Sequence, residues 1–342
     1  MIGKNIKYYR LLKNMSQKSL AQSVGIGKMS VSNYELGKRT PDYSTSRKLA
    51  HALGVSLSKL LMQSNTDITV QHGAFRKQSA LTKFQQNVVL EKTDRYLEKL
   101  YEVVSFVGNS ALPEVPVYNK ILVNDFEQAG QYLRKILNLA SNGPVGNITD
   151  ILENHGFIIC HIDFNERGFS GNSGTVNGRP YIALNVIMPT ERQRFTMIHE
   201  LAHLVFSFHD NGENEEHIVD AIAGAFLLPQ VDIVRELGPK RSDIRGDLRN
   251  IQREYGISMA AIVMRAKQTG IITKTVYETT MKWMSANGLR SNEKSGLAPE
   301  KSHLLEQLTS RAVAEEEISI SKAAEILEMP LRDVRVLCYG GV

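Results

Sequence analysis

The chain has 342 residues, of which 42% are hydrophobic and 23% charged, and its formal net charge is +5. This length supports two or three domains with a substantial core, and the composition is typical of a globular protein. No apolar stretch reaches the length of a membrane span, and the N-terminus lacks the apolar core of a signal peptide, so we expect a cytoplasmic protein without a membrane partner. Cys160 and Cys338 are accordingly expected to remain reduced thiols.

Positive charge is concentrated in residues 1–63. This segment holds eleven Lys and Arg side chains against two acids, Glu35 and Asp42, a balance of +9, whereas the rest of the chain carries −4. Such a charge on one small domain indicates a polyanionic partner, and double-stranded DNA is the simplest one.

The same segment carries a helix-turn-helix pattern, in residues 16–26 followed by residues 28–39. Ser16 is expected to cap the first helix and Gly25 to form the turn, which leaves the exposed face of the second helix to enter a major groove. The segment resembles the lambda-repressor-like (Xre-type) DNA-binding domains in three pieces: Ser16-Gln17 with Leu20-Ala21, the run from Val31 to Pro41, and Leu49-Ala50 with Leu53-Gly54-Val55.

This resemblance implies two sets of DNA contacts. The candidates for contacts to base edges at an operator are Lys28, Met29 and Asn33, because Lys can donate to guanine, Asn can pair with adenine and Met can meet a thymine methyl. The residues expected to touch phosphates and set the register are Gln17, Lys38 and Arg39.

Beyond this domain, residues 64–140 are expected to form a linker and a helical connector, with a long helix over residues 79–106. A new unit is expected over residues 141–290. It begins with a helix near residues 148–155 and continues with strands over residues 156–162 and 181–186, which flank a hairpin signal at residues 168–178.

Residues 199–203 carry the pattern H-E-x-x-H inside an apolar run. Positions four apart lie on one face of a helix, so His199 and His203 can hold one ion between them. Zn²⁺ suits this pair because it accepts neutral imidazole and lowers the pKa of water, and Glu200 can then serve as the base. The alternative is that both histidines are merely hydrogen-bonded on a partly buried helix.

A catalytic zinc normally has three protein ligands and one open position. His209 has the spacing of the metzincin pattern, but Phe206 occupies the place of the glycine that lets that chain turn, so we disfavour it. The other candidates are acidic residues of the following segment, namely Glu215, Glu216 and Asp220.

Two motifs here resemble the ImmA/IrrE family of metallopeptidases. They are Arg194-Phe195-Thr196 ahead of the H-E-x-x-H, and the run from Glu216 to Leu227-Leu228-Pro229, in which Val219 and Ile222 replace the usual Ala and Phe. The resemblance implies that Glu216 is the third zinc ligand and Glu200 the catalytic base. It also implies a zincin-like fold, so the predicted fold class is α+β and mostly helical, with an all-α helix-turn-helix domain before a peptidase domain that holds a small antiparallel sheet.

Together, the two resemblances imply a DNA-binding transcriptional regulator with zinc-dependent endopeptidase activity, which cleaves a repressor-type protein to derepress genes and can form a homodimer. Two alternatives remain open: a non-catalytic regulator whose peptidase-like fold senses a ligand or docks a partner, and an antitoxin-like autorepressor. Residues 291–342 are expected to be helical, either as a second helix-turn-helix-like unit or as a cap or oligomerisation piece.

Overall fold

The computed structural model describes residues 2–62, 67–73, 81–116, 118, 120–123, 125–166, 168–208, 215–290 and 293–340. The chain divides into two compact units. The first comprises Met1–Thr69, Lys77–Ala111 and Leu305–Val342, and the second comprises Val70–Arg76 and Leu112–Leu304.

The α-helices, in chain order, are α1 (Ile2–Leu12), α2 (Gln17–Val24), α3 (Lys28–Glu35), α4 (Tyr43–Leu53), α5 (Leu57–Leu61), α6 (Lys83–Val107), α7 (Phe126–Ile136), α8 (Ile148–Asn154), α9 (Thr190–Val205), α10 (Glu215–Leu227), α11 (Gln230–Leu237), α12 (Leu248–Tyr255), α13 (Met259–Gln268), α14 (Lys274–Ala286), α15 (Leu304–Ala314), α16 (Ile320–Leu327) and α17 (Leu331–Tyr339). The strands are β1 (Val70–His72), β2 (Ile121–Leu122), β3 (Ile158–Ile162), β4 (Gly171–Val176), β5 (Arg179–Asn185) and β6 (Phe206–Ser207).

Helices α1 to α5 form the predicted helix-turn-helix fold. Ser16 caps α2 by accepting from the Ser19 amide, and Gly25 ends it in the left-handed conformation at φ 75°, so both sequence predictions are confirmed. The buried apolar side chains of these five helices make one core, which consists of Ile6, Leu20, Ala21, Val24, Val31, Tyr34, Leu49, Ala50, Leu53 and Leu60.

The C-terminal helices belong to the same unit as the N-terminal ones. Lys322 of α16 pairs with Glu102 of α6 at 2.8 Å, and Lys99 of α6 pairs with Glu328 at 2.9 Å. Part of the predicted connector and most of the predicted C-terminal region therefore lie with the helix-turn-helix domain in space, although the sequence separates them.

The second unit contains a four-stranded sheet in the order β1-β4-β5-β3. The segment expected to be a hairpin, residues 168–178, instead contains one strand, β4, which forms a hairpin with the predicted strand β5. On its other edge β4 pairs antiparallel with β1. The fold class is confirmed, but the sheet is mixed rather than purely antiparallel. Strand β5 lies between β4 and β3, antiparallel to β4 and parallel to β3.

Helix α9 is the central element of this unit. It contacts β4 and β5 on one side and α10 on the other, and Met197, Ile198, Leu201, Ala202 and Val205 are fully buried. Within the described residues, no single helix is long and apolar enough to cross a membrane, although the bent pair α10 and α11 would qualify by length and composition alone.

A buried ion pair fixes the N-terminal half of α9. Arg194 pairs with Glu300, and both side chains are almost fully buried. Glu300 also accepts from the first two backbone amides of α8. The Arg194 guanidinium donates to three backbone carbonyls, those of Val145, Gly146 and Gly256. One side chain thus ties α9 to three other segments of the unit.

We expect Arg194→Met to lower the free energy of unfolding by about 3–5 kcal/mol, because it leaves the Glu300 carboxylate buried without its cation. Urea unfolding followed by circular dichroism measures the change. The control is Arg192→Met, two residues away but exposed, which should change stability by less than about 0.5 kcal/mol. Equal effects of the two substitutions would contradict this role for Arg194.

Candidate functional site

The two histidines of the H-E-x-x-H pattern meet on one face of α9. The Nε2 atoms of His199 and His203 lie 3.1 Å apart. Glu216, near the start of α10, reaches both rings: its carboxylate oxygens lie 3.4 Å from His199 Nε2 and 3.6 Å from His203 Nε2. One ligand atom from each of the three residues therefore lies within 4.8 Å of the other two.

The other nitrogen of each imidazole faces a carboxylate. His199 Nδ1 lies 2.8 Å from Asp220 Oδ1, and His203 Nδ1 lies 3.3 Å from Glu215 Oε1. A carboxylate accepts a hydrogen bond, so this arrangement favours the tautomer that carries its proton on Nδ1 and a lone pair on Nε2. Carboxylate partners of this kind orient histidine ligands and raise their basicity.

The donor set fits a zinc ion. Two neutral imidazoles and one carboxylate are the ligands of several catalytic zinc sites. Acceptor atoms that converge at these distances repel each other, and a cation between them removes that repulsion. Of the candidates for third ligand, Glu216 is the one brought to both Nε2 atoms. Asp220 and Glu215 lie on the outer side of the rings, and His209 lies outside the described residues.

Glu200 is buried beside the histidines and has a fixed orientation. Its Oε2 accepts a hydrogen bond of 2.8 Å from the hydroxyl of Ser173 on β4. Gly171, two residues earlier on the same strand, leaves room for α9, since a Cβ there would lie 2.5 Å from Thr196 Cγ2 and 3.4 Å from Glu200 Cγ. Sequence reasoning missed Ser173, because a hairpin signal does not tell which of its side chains faces the helix.

The cluster is negatively charged and open on one side. Three carboxylates, those of Glu215, Glu216 and Asp220, lie within 3.6 Å of an imidazole nitrogen. The His199 side chain is fully buried, whereas 46% of the Glu216 side chain is exposed. This arrangement attracts a cation and leaves access from the α10 side.

The candidate DNA-contacting residues lie on and just after α3. Lys28 and Met29 are exposed at its start, with Met29 73% exposed, and Asn33 is half-buried one turn later. Lys38 and Arg39 are also exposed, and their backbone amides donate to the Asn33 carbonyl at 2.9 Å and 3.3 Å. The base-contact candidates and two of the phosphate candidates therefore belong to one short segment.

Gln17, the third phosphate candidate, belongs to a buried polar network. Its Nε2 donates to Glu35 Oε2 at 2.7 Å, and Arg10 donates to both oxygens of the same carboxylate at 2.5 Å and 3.0 Å. Arg10 also donates to the Met15 carbonyl. The network joins α1, α2 and α3, and Arg10 neutralises the acid at the end of α3. Sequence analysis did not identify Arg10, since a lone arginine on α1 gives no signal of its partner.

Comparison with known families matches each domain separately. A family model described as helix-turn-helix matches residues 6–60. A second model, described as the IrrE N-terminal-like domain, matches residues 152–267, which include α9 and α10.

Similar proteins carry names of transcriptional regulators. The HTH-type transcriptional regulator YqaE of Bacillus subtilis is 30% identical over 105 residues, which are 31% of this chain and 90% of that protein. The SPbeta prophage-derived HTH-type regulator YonR, also of Bacillus subtilis, is 41% identical over 61 residues, 18% of this chain and 56% of that protein. The cryptic phage CTXphi transcriptional repressor RstR of Vibrio cholerae is 32% identical over 68 residues, 20% and 61% respectively.

The chain spans less than two thirds of the length of YonR and RstR, but nearly all of YqaE. The match to YqaE, the two family matches and the helix-turn-helix geometry together show which family the chain belongs to. The chain belongs to the Xre-like helix-turn-helix transcriptional regulators and joins their DNA-binding domain to an IrrE N-terminal-like domain with a metallopeptidase-family fold.

Proposed function

We propose that the second domain is a zinc-dependent endopeptidase that cleaves a repressor-type protein and so derepresses genes. The observation that carries the proposal is the convergence of His199, His203 and Glu216 beside an oriented Glu200. A domain that only docked a partner would not need a base held next to three metal-ligating groups. The same chain carries a DNA-binding domain, which supports a target protein that binds the same operator. Binding at one operator raises the effective concentration of the peptidase domain near its target.

In the proposed mechanism, His199, His203 and Glu216 would hold the zinc ion. When bound, zinc supplies Lewis acidity toward a peptide carbonyl and lowers the pKa of water. Glu200 takes the proton of the attacking water and delivers it to the leaving amine. Ser173 holds the Glu200 carboxylate in one orientation, and Asp220 and Glu215 hold the two imidazoles with their Nε2 atoms toward the metal position.

We expect one zinc per chain, and we expect His203→Ala or Glu216→Ala to lose it, because two ligands hold zinc far more weakly than three. Elemental analysis of purified protein measures the occupancy. The matched control is His217→Ala, an exposed histidine on α10, which should retain the metal. Full occupancy in Glu216→Ala, together with loss in Asp220→Ala or His209→Ala, would show that the third ligand is misassigned.

Glu200→Gln should keep zinc and the fold but lower the cleavage rate by about 10²–10⁴-fold, because an amide cannot accept the proton of water. The assay incubates the full chain with repressor proteins encoded beside its gene and follows the fragments by mass spectrometry. Glu254→Gln, at an exposed glutamate of α12, is the control for the loss of one charge. Normal switching of target genes in cells that carry Glu200→Gln would rule out catalysis and favour a sensing or docking role.

We further propose that the α3 segment reads an operator, with base contacts from Lys28, Met29 and Asn33. Asn33→Ala should relax the preference at one base pair, at a cost of about 1–3 kcal/mol. Alanine at both Lys38 and Arg39 should instead weaken binding to all sequences and flatten its salt dependence, because fewer counterions are released.

Selection from a random duplex library with the full chain, followed by titrations at several salt concentrations, measures both effects. Lys59→Ala, on α5 and outside the helix-turn-helix pair, is the control and should leave sequence preference unchanged. A selection that enriches no sequence would contradict operator recognition.

A further inference from the structure

A short segment that follows the DNA-binding domain in sequence completes the sheet of the second unit. Strand β1 pairs antiparallel with β4, with Val70 opposite Val176 and His72 opposite Gly174. The pairing continues for one more residue, because the Gly73 amide donates to the Ser173 carbonyl at 2.8 Å. The Asn172 side chain also donates to the Gly73 carbonyl at 3.1 Å. The outer edge of β4 is therefore filled by the chain itself.

Two glycines let β1 approach β4 closely. A Cβ on Gly174 would lie 2.2 Å from the Gln71 carbonyl oxygen, and a Cβ on Gly73 would lie 2.4 Å from the Ser173 carbonyl oxygen. Real Cβ atoms do not approach oxygen so closely, so either side chain would force the strands apart. The His72 ring adds a contact of 2.7 Å between its Nδ1 and the hydroxyl of Tyr181.

The edge that β1 fills belongs to the same strand that holds Glu200. Ser173 accepts the Gly73 amide at its carbonyl, while its hydroxyl donates to Glu200. Successive side chains of a strand point to opposite faces, so Gly73, directly opposite Ser173, lies on the face that carries Glu200. Since Gly73 has no side chain, nothing from this position covers that face.

Strand β1 is short and little of it is buried. It has three residues, of which Gln71 is exposed and Val70 and His72 are only partly buried, whereas β3 and β5 are almost wholly buried. Segments with few buried apolar contacts open at low free-energy cost. When β1 detaches, the main-chain N–H and C=O groups on the outer edge of β4 become available. They can pair with any extended polypeptide, because strand addition uses backbone hydrogen bonds.

We propose that the outer edge of β4 is where an extended segment of the protein substrate binds, and that β1 is a built-in occupant which competes with it. The domain is then autoinhibited by the segment that connects it to the DNA-binding domain in sequence. Displacement of β1 exposes the edge beside Glu200. The assignment of this edge to a substrate rests on the proposed peptidase function, but peptide binding at the edge can be measured without catalysis.

The test uses a fluorescein-labelled peptide with the sequence of residues 67–76, added to full-length protein that carries Glu200→Gln so that no cleavage interferes. Fluorescence anisotropy measures its binding. Two variants displace β1 by different means. Gly73→Val introduces the clash with the Ser173 carbonyl. The Gly73 amide donates to β4, and backbone amides two residues apart on a strand point to the same side, so the Gln71 amide also points to β4. Gln71→Pro removes that amide.

Both variants should bind the peptide about tenfold more tightly or better than the parent, because self-occupancy reduces the fraction of protein able to bind. The matched control is Gly246→Val, at a glycine whose Cβ would meet nothing within 4 Å, and it should bind as the parent does. Circular dichroism verifies folding, and if Gly73→Val does not fold, Gln71→Pro decides.

Equal peptide affinity in the parent and both variants would overturn the inference. If the variants bind the peptide more tightly but Glu200 is dispensable for gene switching, β1 still competes for the edge of β4, and the proposed peptidase function is wrong. Cleavage by the parent protein, combined with no gain in peptide binding in the two variants, would support the peptidase and overturn the role of β1 as a competing occupant.

Discussion

Helix α9 buries the His199 imidazole and the Glu200 carboxylate, with His203 partly buried beside them. Each buried polar group needs a polar partner, since an unsatisfied one costs about 1–3 kcal/mol. The arrangement around α9 follows from this requirement. Asp220 and Glu215 take the outer nitrogens of the histidines, and Ser173 takes Glu200. Strand β4 and helix α10 are both placed so that these partners reach α9.

The same partners direct the chemistry. If the outer nitrogens faced water, each histidine could exchange its proton between two positions and rotate. A carboxylate near Nδ1 favours the tautomer whose Nε2 lone pair points toward Glu216. The carboxylates of Glu215, Glu216 and Asp220 beside the two rings also create a negative potential that a bound cation relieves. Structural support and metal affinity therefore come from the same side chains.

The sequence could predict what periodicity and short motifs encode. The helix-turn-helix, its cap at Ser16 and its turn at Gly25 were predictable because each depends on neighbours within a few residues, and the i, i+4 spacing was enough to put His199 and His203 on one face. What could not be predicted depends on tertiary pairing. Ser173 reaches Glu200 from a strand 27 residues earlier, and Arg10 meets Glu35 across 25 residues of chain.

The sheet illustrates the same limit. The Gly-rich segment 168–178 indicated a chain reversal, but it contains a full strand, β4, and the two apolar runs on either side of it, β3 and β5, pair in parallel. No local signal in the sequence specifies that pairing. Residues 67–73 follow a polar stretch and looked like part of a linker. Their pairing with β4 depends on Gly174, a residue more than 100 positions away, whose missing side chain admits the Gln71 carbonyl.

Backbone geometry at that edge sets one more constraint on the chain. Gly171, Gly174 and Gly73 lie along one short stretch of β4 and its neighbour, and each stands where a side chain would strike backbone or a side chain of α9. Glycine in a strand interior weakens the strand by roughly 0.5–1 kcal/mol relative to alanine, so Gly174, inside β4, would be a poor choice for rigidity alone. The three glycines bring α9 and β1 close to opposite sides of the same strand. A peptide that replaced β1 would gain the same close approach, and its backbone would pair with Ser173, whose hydroxyl donates to Glu200.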